Sequence, residues 1–315
     1  MTSNLRGHTI GWIGAGGRMG FAMAQRLLKH GADVAVWNRT RAKAEPLAKD
    51  GAKIVDSPAA LGNRDIVFVT VAASHDLVDV VTGEGGILSR NAVPRILIDC
   101  STVSEESSAE VRAACAKKGA QFLAAPVSGN AKVVKAAKLS FVVSGPRDAF
   151  DTAKPYLDAL GKGAAYVGEG ELSRIVKICH NVLLGVVTQS LAEITVLAEK
   201  RGVSRHAFLA FINQSVMGST FSRYKSPAFV NLDWTPTFTP VLLKKDMDLG
   251  LEAARELGVP MPLAATTREI VQSLVGNGYV DCDFATLLEL EARNAGLSMA
   301  PENVTVDDGL SPPKA

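Results

Sequence analysis

Short apolar runs punctuate the first half of the chain, at residues 9–13, 33–37, 66–71, 95–99, 121–125 and 140–144, each rich in Val, Ile or Phe. Between several of them the spacing of apolar positions changes to that of helices, at 19–30, 42–49 and 105–118. Strands alternating with helices predict a parallel sheet with helices on both faces, because each crossover returns over the sheet and covers it. Ile66-Val67-Phe68-Val69 lacks any polar alternation, the pattern of a strand buried on both sides.

The alternation stops at Gly168-Glu169-Gly170. One long helical stretch without proline follows, from 171 to about 201, in which Ile175, Val176, Ile178, Val182, Leu183, Val186 and Val187 leave little polar face. A helix apolar nearly all round belongs in an interior, so this one is expected to form a spine between domains or subunits. Further helices are expected at 205–214, 240–257 and 262–275. From 297 onward the chain is rich in Pro, Asp and Ser, the composition of a loose tail.

Composition narrows the function classes more than the fold. A chain of 315 residues is comfortable for two domains, and 47% hydrophobic with 21% charged residues is ordinary globular usage. Lys and Arg total 34 against 32 Asp and Glu, a net charge of +2, which gives no reason to expect a nucleic-acid partner. The opening Met-Thr-Ser-Asn-Leu-Arg has no apolar segment, and no uninterrupted apolar run approaches the ~18 residues of a membrane span. Cys100, Cys115, Cys179 and Cys282 form no CxxC pair and read as buried free thiols of a reducing compartment. The expectation is a cytoplasmic protein with no membrane partner and no metal site.

The first chemistry lies after the first strand. Ile10-Gly11-Trp12-Ile13 runs into Gly14-Ala15-Gly16-Gly17-Arg18-Met19-Gly20 and then a helix. In a dinucleotide-binding turn one glycine permits the tight bend, another lets the backbone approach the pyrophosphate, and a third brings helix and strand together. The pyrophosphate then sits at the positive helix N-terminus. The register is open: the run reads GxGxxxG from Gly14, or Ala15-x-Gly17-x-x-Gly20, a loop one residue longer than usual. The fold expected is α/β, an N-terminal Rossmann doubly wound sheet at 1–168, then an all-α substrate and oligomerisation domain at 169–296 and a flexible tail at 297–315. At the end of the second strand, where an Asp or Glu would bind a ribose 2′-hydroxyl, stand Asn38-Arg39-Thr40. Arg39 offers a guanidinium for a 2′-phosphate, so NADP is expected, with NAD possible as the lesser choice.

The second chemistry is Lys177-Ile178-Cys179-His180-Asn181. A spacing of four puts Lys177 and Asn181 on one helix face, one turn apart. A lysine in an apolar helix is expensive unless it has a task, and burial brings a lysine toward the working range of an acid–base catalyst. His180 points about 100° away from Asn181 and reads as a packed or hydrogen-bonded core residue.

These motifs, taken in order, resemble the β-hydroxyacid dehydrogenases related to 3-hydroxyisobutyrate dehydrogenase. The resemblance rests on Met19-Gly20, Asn38-Arg39-Thr40, Asp99-Cys100-Ser101-Thr102, Ala125-Pro126-Val127-Ser128-Gly129, Gly170-x6-Lys177-x3-Asn181 and Lys245-Asp246, and covers residues 8 to about 296. It implies Lys177 as general acid/base, and Ser128, Gly129, Asn181 and Ser101 as substrate contacts. Cofactor contacts would come from Gly14, Ala15, Gly16, Gly17, Arg18, Met19, Asn38, Arg39, Thr40, Val71, Thr102 and Lys245. A small carboxylic-acid substrate and a homodimer or homotetramer are implied as well. Ala124 and Asn130 depart from the family's Asp and Gly, and a later family glycine falls at Lys138; Asn130 resembles the glyoxylate and succinic semialdehyde reductase branch. Imine reductases share the architecture but typically carry Asp or Tyr where Lys177 stands. A catalytically silent nucleotide-binding scaffold is the alternative from another class, and the Lys177/Asn181 pair disfavours it.

Overall fold

The computed structural model describes Leu5 and residues 7–310. Most of the polar opening hexapeptide (residues 1–4 and 6) and the end of the expected tail (311–315) lie outside the described residues. The chain divides into two compact units, Met1–Lys177 and Ile178–Ala315.

The first unit follows the alternating pattern. β1 (Ile10–Ile13), α1 (Arg18–Lys29), β2 (Val34–Trp37), β3 (Lys53–Ile54) and β4 (Ile66–Val69) form its first half. α2 (Ser74–Thr82), β5 (Ile96–Asp99), α3 (Glu105–Lys117) and β6 (Gln121–Ala124) continue it, and β7 (Val127–Ser128), α4 (Ala131–Lys135), β8 (Leu139–Ser144), α5 (Arg147–Leu160) and β9 (Gly161–Gly168) close it. The strand order β3-β2-β1-β4-β5-β6 is parallel throughout, whereas β8 runs antiparallel to β6 and β7 and parallel to β9. Chain direction across the sheet reverses between β1 and β4, which opens a crevice at the carboxyl ends of those two strands.

The apolar runs lack polar alternation because both faces of each strand are covered. Ile10, Trp12, Phe68, Ile96 and Ile98 face one core, shared with Met23 and Leu27 of α1 and Leu157 of α5. Ile13, Val67, Val69 and Leu97 face the other, shared with Leu77 of α2 and Val111 and Cys115 of α3. Trp12 stacks on Phe68 at 4.8 Å, and its indole N–H donates to Thr70 Oγ1 at 2.8 Å. Residues 42–49 differ from expectation: they form short 3-10 helices at Arg41–Lys43 and Glu45–Asp50, interrupted near Pro46 and ended by Gly51 at φ 97°. The Gly- and Ala-rich β9 has no β-branched pattern to announce it.

α6 (Leu172–Lys200) begins in the first unit and continues into the second. There α7 (Arg205–Gln214), α8 (Thr220–Asn231), α9 (Pro240–Glu256), α10 (Pro262–Gly276) and α11 (Leu287–Asn294) pack on its far half. Their core centres on Phe284, which is edge-on to Phe238, stacked near Phe221, and 4.3 Å from Lys225 Nζ. Burial of Lys225 is matched by Asp283, whose Oδ1 lies 2.6 Å away.

Two expectations about this region are revised. α6 is not buried all round: Leu172, Val176, Cys179, Leu183, Val187, Ile194 and Leu197 form an exposed stripe, and His180 is exposed too. Cys179 is therefore not a buried thiol and Cys282 is only half-buried, whereas Cys100 and Cys115 are buried, and burial pushes the Cys115 thiol up to about 12. Residues 297–310, loose by composition, are anchored. Buried Arg205 donates to the carbonyl of Ala300, and Glu302 accepts from the amides of Arg205 and His206 at the start of α7. By length and composition α6 is also apolar enough to cross a bilayer, yet half of its apolar window is buried in the protein.

Candidate active site

The Gly-rich turn sits at the reversal between β1 and β4. Gly14 has φ 85°, and a Cβ there would lie 1.9 Å from the carbonyl oxygen of Thr70, so only glycine fits. A Cβ on Gly20 would lie 2.3 Å from the Gly14 carbonyl oxygen, which makes Gly20 the close-packing glycine of helix against strand. The register left open by sequence is thereby resolved as Gly14-x-Gly16-x-x-x-Gly20. Gly17 caps α1, and a Cβ there would meet only the Gly14 carbonyl oxygen, at an ordinary 3.6 Å. The helical ladder starts with Phe21 N–H to Gly17 C=O at 2.8 Å, so the amides of Arg18, Met19 and Gly20 precede it. That turn fits a pyrophosphate on both backbone shape and dipole.

Asn38 shapes this turn rather than merely flanking it. Its Oδ1 accepts from Gly16 N–H at 3.0 Å while its Nδ2 donates to the Thr40 carbonyl at 2.8 Å. Ala15 is buried against the end of β2, its amide donating to the Trp37 carbonyl at 3.3 Å. Arg39 lies beyond, with an 82% exposed side chain and its Nη1 3.1 Å from Asp76 Oδ1 in the first turn of α2. An exposed pair of this kind is worth ~0–1 kcal/mol, so the guanidinium can exchange partners readily.

The loops after β4 and β5 are tied together. Asp99 Oδ1 accepts from both the amide and the hydroxyl of Ser101, at 3.1 and 2.6 Å, and Ser101 Oγ accepts from Val71 N–H at 2.9 Å. Ser101 is thus a buried bracket that sets the backbone of Val71 and the adjoining Thr102. Ser128 ends β7, and Gly129 has φ 133°, where a Cβ would meet Val133 and Leu139. Asn130 departs from glycine for a visible reason: its Oδ1 caps α4, accepting from the amides of Lys132 and Val133. The left-handed residue before β8 is Ala137, at φ 57°, not Lys138.

The first turn of α6 is bolted to the carboxyl ends of the sheet. Ser173 Oγ donates to the Ala124 carbonyl at the end of β6, and its amide donates to Ser144 Oγ at the end of β8. Arg174 reaches Asp99 at the end of β5. Lys177 follows one turn after Ser173 on this helix and is 9% exposed. Asn181 is the next residue on that helix face and is buried. Its Nδ2 donates to Asp246 Oδ2 at 2.5 Å, and its Oδ1 lies 2.9 Å from His180 Nδ1. Asp246 is itself buried on α9, with Oδ1 3.2 Å from Lys245 Nζ, the lysine side chain being 42% exposed. Asp246 stands in the Lys245-Asp246 string but was given no role of its own, and Arg174 stands in no motif; the signal available for Arg174 was a charge beside the apolar run of α6.

A glycine turn at a topological switch point and a helix start ready for phosphate define a dinucleotide-binding fold. Comparison with known proteins makes this specific. Residues 9–168 match the family described as the NAD binding domain of 6-phosphogluconate dehydrogenase. Residues 171–290 match the NAD-binding domain of NADP-dependent 3-hydroxyisobutyrate dehydrogenase. The chain is 32% identical over 282 residues to chloroplastic glyoxylate/succinic semialdehyde reductase 2 of Arabidopsis thaliana, covering 89% of this chain and 78% of that one. It is 31% identical over 269 residues to 3-hydroxyisobutyrate dehydrogenase of Pseudomonas aeruginosa, covering 83% and 90%. Among solved structures, 3-hydroxyisobutyrate dehydrogenase of Mycobacterium tuberculosis with L-serine superposes with a TM-score of 0.77 at 27% identity, covering 90% and 98%. The chain belongs to the β-hydroxyacid dehydrogenase family, NAD(P)-dependent oxidoreductases that act on the CH–OH group of small hydroxy acids.

Proposed function

We propose that this enzyme uses NADP(H) to interconvert a small β- or ω-hydroxy acid and its aldehyde or keto acid, with Lys177 as general acid/base. The observation that carries the reading is the setting of Lys177, a buried lysine on a helix turn fixed to the carboxyl ends of β5, β6 and β8. Nicotinamide, when bound, would supply hydride to the carbonyl carbon in reduction and accept it from the carbinol carbon in oxidation. In reduction, the Lys177 ammonium donates a proton to the carbonyl oxygen as negative charge develops on it. In oxidation, neutral Lys177 accepts the proton of the substrate hydroxyl. Ser128 and the Gly129 amide hold the substrate carboxylate, and Asn181 orients the reacting end, with its own amide oriented by Asp246.

NADP is favoured over NAD because no carboxylate ends β2, and a 2′-phosphate can take Asp76's place on Arg39. Lys245 would contribute a further cationic contact to the cofactor. Glyoxylate and succinic semialdehyde lead the substrate panel, since relatives carry those names. The exposed stripe on α6, with steps of three, four and once seven residues, supports self-association into a homodimer or homotetramer. The test is turnover of glyoxylate, succinic semialdehyde, tartronate semialdehyde and a cyclic imine with NADPH and NADH. Aldehyde reduction with NADPH is expected. Turnover of the imine alone, or NADPH binding with no turnover, would displace this reading.

A further inference from the structure

We infer that Arg174 is a positioning residue for the reaction, clamping the turn that carries Lys177 to the loops that carry Val71 and Thr102. The inference rests on the reading of Lys177 as acid/base.

Arg174 is 1% exposed. Its guanidinium is held on three sides. Nη2 donates to Asp99 Oδ2 at 2.6 Å, Nη1 to the Ser101 carbonyl at 2.7 Å, and Nε to Ser108 Oγ at 3.1 Å. The outer shell is satisfied too: Ser108 is hydrogen-bonded to Glu171 Oε2, and Glu171 Oε1 accepts from Arg112 Nε at 2.7 Å. A buried ion pair seldom adds net stability over apolar residues of the same volume, so stability alone is a weak reason for it. Geometry supplies a better one. The fork of a guanidinium fixes direction as well as distance, which an ammonium or an apolar contact does not.

What this fork fixes is the register between two parts of the site. Arg174 lies three residues before Lys177 on α6, on nearly the same face, so its rotation and axial setting are those of the lysine. Asp99, its partner, uses the other carboxylate oxygen on Ser101, and Ser101 in turn holds the Val71 amide. One chain of hydrogen bonds, charge-assisted at Asp99, therefore joins the acid/base turn to both loops at the ends of β4 and β5. A shift of about 1 Å between a catalytic group and its substrate lowers rate far more than it lowers binding.

Variants Arg174→Lys, Arg174→Met and Ser108→Ala in the full chain test this, with thermal midpoint, NADPH dissociation constant, kcat and KM all measured on the folded protein. Arg174→Lys keeps a charge for Asp99 but cannot reach all three acceptors. It is expected to lower kcat at least tenfold with KM and the NADPH dissociation constant within about threefold. It should also raise the isotope effect with C4-deuterated NADPH, because hydride transfer becomes the slow step. Ser108→Ala removes the contacts to Arg174 Nε and Glu171 Oε2 but leaves Arg174 paired with Asp99 and Glu171 with Arg112, and should lower kcat three- to fivefold even if Arg174→Met fails to fold. Arginine is merely structural if Arg174→Lys or Ser108→Ala lowers the midpoint but leaves kcat per folded molecule and the isotope effect unchanged. Lys177→Ala separates this from the underlying reading: an active Lys177→Ala removes the acid/base assignment, whereas an inactive one beside a fully active Arg174→Lys overturns only the clamp.

Discussion

At the scale of single residues, the site is a set of side chains whose directions are fixed by neighbours the sequence does not place beside them. Asn38, Asn130 and Asn181 show three uses of one amide: bracing the Gly-rich turn, capping α4, and donating to buried Asp246. Arg39 differs because it is anchored only by an exposed ion pair with Asp76. Replacing it with Asp should weaken NADPH at least tenfold, the loss of a charged hydrogen bond plus repulsion of a 2′-phosphate, and leave NADH within about threefold. Equal losses for the two cofactors in fluorescence titrations would remove the NADP assignment. Candidate residues could be named where the signal was local: the glycines, Arg39, Lys177 and Asn181 stand in recognisable strings. Asp99 and Arg174 meet from far apart in the chain, and no spacing rule connects them.

At the scale of elements, the alternating strands and helices were readable because burial on both sides leaves continuous apolar runs. The register of the turn was not, since two glycine templates fit the same string, and only the approach of Thr70 to Gly14 decides between them. β9 escaped notice because small residues mask its period, and the helix expected at 42–49 is broken into 3-10 turns by Pro46 and Gly51. The entry into the sheet carries a testable clasp. Asp65, just before β4, accepts from the amide and hydroxyl of Thr9, just before β1, at 2.7 and 2.8 Å, and these bonds hold its carboxyl below the usual range. The stabilisation from a depressed carboxylate is present above its unfolded pKa of about 3.9 and is lost as pH falls through the folded value. Asp65→Asn should therefore cost about 1 kcal/mol in urea unfolding at pH 7, and the gap to the unaltered protein should close below pH 4. A gap that persists unchanged into acid would assign the cost to packing instead.

At the scale of the whole molecule, the sequence announced an apolar helix and the structure shows where its apolarity goes. One side of α6 enters the core of the helical unit; the other side, including Leu183 and Leu197, is exposed in a single chain. Association through that stripe predicts a dimer or tetramer in sedimentation at micromolar concentration, and Leu183→Glu should shift it toward monomer. A monomeric unaltered protein would contradict the prediction. The central claim, however, concerns chemistry, and Lys177 is its most exposed point to experiment. The most direct measurement is kcat for aldehyde reduction by Lys177→Ala, alongside its NADPH dissociation constant. General acid–base catalysis of this kind contributes ~10²–10⁴-fold, so a fall of that size with cofactor binding unchanged is predicted. A Lys177→Ala enzyme that turns over at the rate of the unaltered protein would contradict the account.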